Sequence, residues 1–241
     1  HLMLLAALSF GVGIFILRAI TRGYLKPVVA ETSTKQTTRA PKTQKGIFKD
    51  RYVLLIFAYV LVWWVSFFFV DNMFYDRAFA QFPDANQLTA FIGQLLAAMG
   101  VVALITSTVV SSRVIARFGL RAGFGVEAVL VTLSVGAFAF FGTLGNFPFI
   151  VFVLIAFTKL VNVAFGFSLS QSATVLVYQA LPDTTRGRIQ ATAEGVLQPI
   201  AIGVAGLSLL WLTSGLKFTF LGLSYVYLGL GAAWLVIVFL L

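Results

Sequence analysis

Apolar runs of about twenty residues recur along this chain, and their length constrains its fold more than any other feature. A helix of about twenty residues crosses a hydrocarbon core of about 30 Å. In lipid, every backbone N–H and C=O must be satisfied within the span, which leaves helices and closed barrels. A barrel shows short alternating segments instead. The 60% hydrophobic content, with only 10% charged residues, exceeds what a soluble core of this size needs. The expected fold is all-α: a polytopic membrane helical bundle with about seven transmembrane helices. Their ranges are 2–20, 52–70, 88–111, 124–141, 148–179, 191–212 and 218–241. The run 148–179 is long enough to tilt strongly or project beyond the bilayer.

Residues 21–50 break the pattern. They are rich in Thr, Lys and Arg, include Pro27 and Pro41, and hold few large apolar side chains. Such a composition buries too little surface to order itself. The net charge of +9 is concentrated in and beside this segment, at Arg18, Arg22, Lys26, Lys35, Arg39, Lys42, Lys45, Lys49 and Arg51. That clustering reports membrane orientation, because Lys- and Arg-rich loops stay cytoplasmic. It is not a nucleic-acid signature. With 21–50 as a cytoplasmic linker, the later loops alternate consistently: Arg113, Arg117 and Arg121 inside, Arg77 with Asp71, Asp76 and Asp84 outside, Arg186 and Arg188 inside. The expected organisation is residues 1–20 as the last helix of a first half-bundle, the linker 21–50, and residues 51–241 as a six-helix second half-bundle. His1 is read as a boundary or tag residue, and the chain as part of a longer polypeptide.

No catalytic arrangement is present. The sequence has no Cys and a single His, and it lacks a nucleophile elbow and a phosphate-binding glycine loop. No enzyme activity, metal or cofactor is expected.

Lys159 is the candidate that chemistry picks out first. It lies roughly 16 Å along a helix begun at Pro148, in an otherwise apolar run. A cation at such depth costs roughly 2.5–3.5 kcal/mol on insertion scales. It therefore faces protein or a water-filled path, and two roles compete. Either it presents charge to an anionic substrate, or it pairs with a carboxylate or carbonyls and holds helices together. Asn162 shares its helical face and is read first as an interhelical hydrogen-bond partner and second as a cavity contact. Gln171, Gln198 and Gln94 complete the candidate substrate-binding set. Glu194 is read first as capping the first turn of its helix or pairing with Arg186 or Arg188, and second as a substrate- or proton-coupling group. Glu127 is read as a cytoplasmic-end partner of Arg113 or Arg121, serving as a gate or as a simple anchor, and Arg117, Arg186, Arg188 and Glu194 belong to the same gating or ion-pair set. Trp63 and Trp64 are assigned to packing or lipid. The final segment reads as lipid-facing, and a central path is expected between segments two, three, five and six.

Two resemblances bear on these residues. The loop Ser112-Arg113-Val114-Ile115-Ala116-Arg117-Phe118-Gly119-Leu120-Arg121 resembles the second copy of the major facilitator superfamily motif Gly-x-x-x-Asp-Arg-x-Gly-Arg-Arg. Arg117, Gly119 and Arg121 match, while Ser112, Ala116 and Leu120 depart from it. A longer resemblance starts at Phe69-Val70-Asp71-Asn72-Met73 and continues through Phe82-Pro83-Asp84 to Leu88, Phe91 and Gly93. It takes in Lys159, Asn162, Phe167-Ser168-Leu169, Val177-Tyr178-Gln179-Ala180-Leu181-Pro182, Arg186, Arg188, Glu194-Gly195 and Pro199. Over most of residues 51–210 the chain is similar to the ATP/ADP-translocase-like nucleotide transporter family of bacteria and plastids. That resemblance implies a major-facilitator-like bundle in a bacterial inner, cyanobacterial or plastid membrane. It implies secondary transport, such as antiport, of an organic anion, with nucleotides the leading class, by alternating access. The competing function is a transporter-derived, non-transporting subunit that anchors or scaffolds a larger membrane complex. Expected partners are the lipid bilayer, a small anionic substrate, a missing N-terminal half-bundle and, on the scaffold reading, other membrane subunits.

Overall fold

The structure, a computed structural model, describes residues 50–145 and 147–241. The expectations for the first helix and for nearly all of the linker lie outside these residues. Six helices long and apolar enough to cross a membrane follow one another. They are α1 (Arg51–Gln81), α2 (Ala85–Phe118), α3 (Leu120–Leu144), α4 (Pro148–Gln179), α5 (Thr184–Gly215) and α6 (Phe220–Leu240). No strand occurs among the described residues. The fold is a polytopic helical bundle, as expected.

Local chemistry sets the helix ends. Asp50 caps α1 by accepting from the Tyr52 N–H at 3.0 Å, and Asp84 caps α2 in the same way from Asn86, each satisfying an orphan donor of the first turn. Pro148 occupies the first position of α4, where its missing N–H costs nothing. Gly119 turns the chain from α2 into α3 with a φ of 79°, a conformation that favours glycine.

Helix α1 runs to Gln81 rather than ending near Val70, where the apolar stretch stops. Asp71 lies within it because its carboxylate has a partner across the bundle. Helix α5 begins at Thr184, before the expected boundary at 191, since Arg186 ties its first turn to the end of α4. The Arg186 guanidinium donates to the carbonyls of Tyr178, Gln179 and Leu181, groups left open at a helix C-terminus.

Helices α1, α4, α3 and α6 pack in a closed ring, each against the next, while α2 lies outside against α4 and α5 outside against α1. Half of the apolar window of α4 is buried, against 6% for α2 and 17% for α5. Helix α6 is thus not simply lipid-facing. Tyr227 and Trp234 are fully buried on it, because its inner face is sandwiched between α1 and α3.

Four wide turns, with hydrogen bonds reaching five residues rather than four, interrupt these helices: Thr106–Val110, Gly166–Ser170, Ala193–Leu197 and Trp211–Gly215. The turn at Ala193–Leu197 immediately precedes Pro199, whose ring cannot accept a regular turn before it and whose nitrogen cannot donate. Wide turns of this kind concentrate at functional sites, and two of the four border the same cavity.

Candidate substrate cavity and its buried polar wall

On α4, Lys159, Asn162, Gly166 and Ser170 follow one another at intervals of three and four, so they form one stripe. All four are buried. The stripe faces α1 and α3, and there it meets two carboxylates that the apolar composition conceals.

The first is Asp71. Its carboxylate accepts a hydrogen bond from the Lys159 ammonium and forms an ion pair with it. The side chain of Lys159 is 7% exposed and that of Asp71 22%. The ammonium also rests 4.3 Å from the centroid of the Phe67 ring, a geometry that adds cation–π attraction. Of the two roles weighed for Lys159, the geometry shows the pairing with a carboxylate.

The second is Glu127. It was expected at the cytoplasmic end with Arg113 or Arg121, and this requires correction. Glu127 sits about two turns inside α3 and is fully buried. The Trp63 indole donates to both of its oxygens at 3.1 and 3.2 Å. The Asn162 amide donates to Oε1 at 3.2 Å, and the Ser170 hydroxyl donates to Oε2. No arginine or lysine among the described residues forms an ion pair with it. Arg113, Arg117 and Arg121 are exposed, and Arg117 and Arg121 lie near the rings of Phe118 and Phe239. Their long side chains reach the surface, whereas position 127 points into the ring of helices.

Gly166 makes this arrangement possible. A Cβ there would stand 2.9 Å from Trp63 Cζ2 and 3.1 Å from Glu127 Oε1. The side chains of α1 and α3 therefore meet against bare α4 backbone, inside the wide turn that opens at Gly166.

Beside this cluster lies an open cavity of about 470 Å³. Helix α1 contributes Tyr59, Val60, Trp63 and Trp64; α4 contributes Gly166, Phe167, Ser170, Gln171, Thr174 and Tyr178; α5 contributes Ala193, Glu194 and Gln198. Aromatic faces and amide or hydroxyl groups dominate, and Glu194 is the one charged side chain in the lining. Asn162 Oδ1 is buried without a hydrogen-bond partner among the described residues, and the buried Tyr59 hydroxyl lies beside Ser170.

The structure brings Gln171, Gln198 and Glu194 together at the cavity, and places Asn162 one layer behind it. Lys159 lies along the same stripe but outside the lining, and Gln94 is exposed on α2. Helix α2 contributes nothing to the cavity, so the expected path through segments two, three, five and six loses its third segment here. Glu194 does not cap a first turn, because α5 starts ten residues earlier. It accepts from Gln190 at 2.9 Å and forms no ion pair with Arg186 or Arg188 among the described residues. Arg186 is engaged with α4 carbonyls, and Arg188 is exposed.

Sequence reasoning missed Trp63, Tyr59 and Ser170 as site residues. The signal available was the α4 stripe itself, a run of small and polar positions repeating at helical spacing within an apolar segment.

The family model described as TLC ATP/ADP transporter matches residues 2–184. The chain belongs to the TLC ATP/ADP transporter family. The match spans α1 to α4 and so contains both carboxylates and the stripe that holds them. Membership and the six apolar helices together make the protein an integral membrane protein of a nucleotide-transporter family. No curated protein and no solved structure matches the chain.

Proposed function

We propose that this TLC family protein is a secondary transporter that exchanges nucleotides by alternating access, and that the α1–α4–α5 cavity takes the nucleobase and ribose end of the substrate. The observation that carries this reading is the chemistry of the lining. Tyr59, Trp63, Trp64, Phe167 and Tyr178 offer ring faces, and Gln171, Thr174 and Gln198 offer donors and acceptors. That mixture of apolar walls and few polar groups is the usual make-up of a small-molecule site. Aromatic side chains stack on any base, worth about 1–3 kcal/mol each. The lining holds a carboxylate and no Lys or Arg, which disfavours phosphate, so the phosphates meet their positive charges outside this lining.

On this reading Lys159 is an organising residue for α1 and α4, with Asp71 cancelling its charge. The chain is the second half of a major-facilitator-type transporter, and the basic segment 21–50 lies in the cytoplasm. The test is counterflow of labelled ATP and ADP by the full-length protein in liposomes, with adenosine and inorganic pyrophosphate as competitors. Saturable exchange inhibited by adenosine but not by pyrophosphate is expected for the assigned subsite. Inhibition by pyrophosphate alone sinks that assignment. Absence of exchange, with stable docking onto other membrane proteins, favours the scaffold role.

A further inference from the structure

Glu127 is not used by substrate contact, yet it is the most unusual group in the bundle. It is a fully buried carboxylate with three neutral partners and, among the described residues, no counter-ion. Removing a carboxylate from water is expensive, and an ion pair is the common remedy. Here the remedy is a fork of dipoles. The nearest cation along the stripe, Lys159, is committed to Asp71, and its ammonium lies 4.3 Å from the centroid of Phe67, a ring that also packs 5.8 Å from Trp63.

Two of the three donors to Glu127, Trp63 and Ser170, also form the cavity wall. One hydrogen bond therefore separates the carboxylate from space open to the outside. We propose that Glu127 is a proton-binding site, loaded and unloaded through the Ser170 hydroxyl from the cavity, and that its charge is coupled to what occupies the cavity. In loading, the Ser170 hydroxyl passes its proton to Glu127 Oε2 and takes one from water in the cavity. The carboxylate becomes a neutral acid and one proton leaves solution; unloading is the reverse. The coupling rests on the transport reading, whereas the proton site does not.

Each of the three side chains that touch the carboxylate donates to it: an indole N–H, an amide N–H and a hydroxyl. No group of three or more His, Cys, Asp or Glu side chains that could hold a metal ion occurs among the described residues. Tyr59 from α1 and Tyr227 from α6 lie within electrostatic reach, and the Tyr227 hydroxyl accepts from Ser66 at 2.7 Å; Tyr178 from α4 and Glu194 from α5 face the same cavity. Helix α4 presents neutral Asn162 and Ser170, its one cation being paired to Asp71. The arginines at the junction of α2 and α3 are exposed. A substrate that stacks on Trp63 or bonds to Ser170 touches a side chain on which the anion depends, which is the route by which occupancy and charge communicate.

The test is infrared difference spectroscopy of the full-length protein in liposomes, titrated from acid to alkaline, with and without ATP. The expected result is a protonated-carboxyl C=O band that disappears with alkali, is absent in Glu127→Gln, and changes in amplitude when ATP is added. Titrating carboxyl bands that are the same in the wild type and in Glu127→Gln, those of other carboxylates such as Asp71 and Glu194 included, overturn the proton site, as does the absence of any titrating band in the wild type. Ser170→Ala provides a second handle should Glu127→Gln fail to fold. It is expected to keep the band but shift its titration midpoint, and an unmoved midpoint overturns the route through Ser170. A titrating band lost in Glu127→Gln supports the site even where no nucleotide is exchanged, a result that defeats the transport reading alone.

Discussion

Lys159 and Glu127 lie in the same ring of helices and solve the same problem in opposite ways. Lys159 meets an opposite charge, so the pair is neutral as a unit and the local field is small. Glu127 meets only dipoles, so when it is ionised its charge stays in the core, spread over an indole, an amide and a hydroxyl. A neutral pair has nothing to gain from a passing ligand. A carboxylate whose stabilisation depends on two cavity-wall side chains responds to whatever touches that wall. The residue that stands out most in the sequence therefore appears as a fastener in the structure, and the less conspicuous one as the responsive centre.

The largest expected effect comes from unfastening the pair. Asp71→Leu leaves a buried ammonium without its counter-charge, which costs about 3–5 kcal/mol in fully buried pairs; the partial exposure of Asp71 places the loss toward the lower end. Asp71→Leu/Lys159→Met is expected to recover most of that loss in thermal unfolding of the purified protein. Equal melting of the single and double variants would show that the pair holds nothing.

Gly166→Ala comes next, because its Cβ meets Trp63 and the Glu127 carboxylate together. Overpacking of this kind costs about 1–3 kcal/mol. The same measurement is expected to show a lower melting temperature, accompanied by weaker nucleotide binding as the indole is displaced into the cavity. Trp63→Phe keeps the ring but deletes the donor to both oxygens, for about 1–2 kcal/mol within the range for an under-satisfied buried group. Removing Glu127 as well, in Trp63→Phe/Glu127→Gln, is expected to cost less than the sum of the two single losses; simple additivity would break the claimed link.

On the binding side, Gln198→Ala is expected to weaken nucleotide affinity about tenfold, equivalent to one hydrogen bond of about 1.4 kcal/mol, with little change in melting. Gln94→Ala, exposed on α2, is expected to move neither quantity by more than about 0.5 kcal/mol.

Much of the bundle was legible in the sequence. Hydrophobic length alone located every described span, since lipid imposes that length on any helix that crosses it. The start of α4 at Pro148 and the corner at Gly119 followed from backbone chemistry. The site was less legible, for a physical reason: pairing across helices depends on rotational phase, which composition does not carry. Asp71 looked like a loop residue because it follows an apolar run, and only its position opposite Lys159 makes it part of the core. Glu127 lies near a run of arginines in sequence, and proximity along the chain suggested a pairing that helix geometry forbids. Trp63 was one aromatic among many, and its donor role shows only beside a carboxylate on another helix.

The wide turn at Gly166–Ser170 has a consequence for the tempo of sequence change. Such a turn amounts to one surplus residue in the helix, and each residue advances a regular helix by about 100°. Deleting a single position there would swing Gln171, Thr174 and Tyr178 away from the cavity while leaving Lys159 and Asn162 where they are. The two halves of α4 are thus held in phase by chain length as well as by the contacts of Asn162 and Ser170 with Glu127. Substitutions can accumulate along this helix one at a time, but an insertion or deletion inside it re-indexes the whole cavity wall in one step.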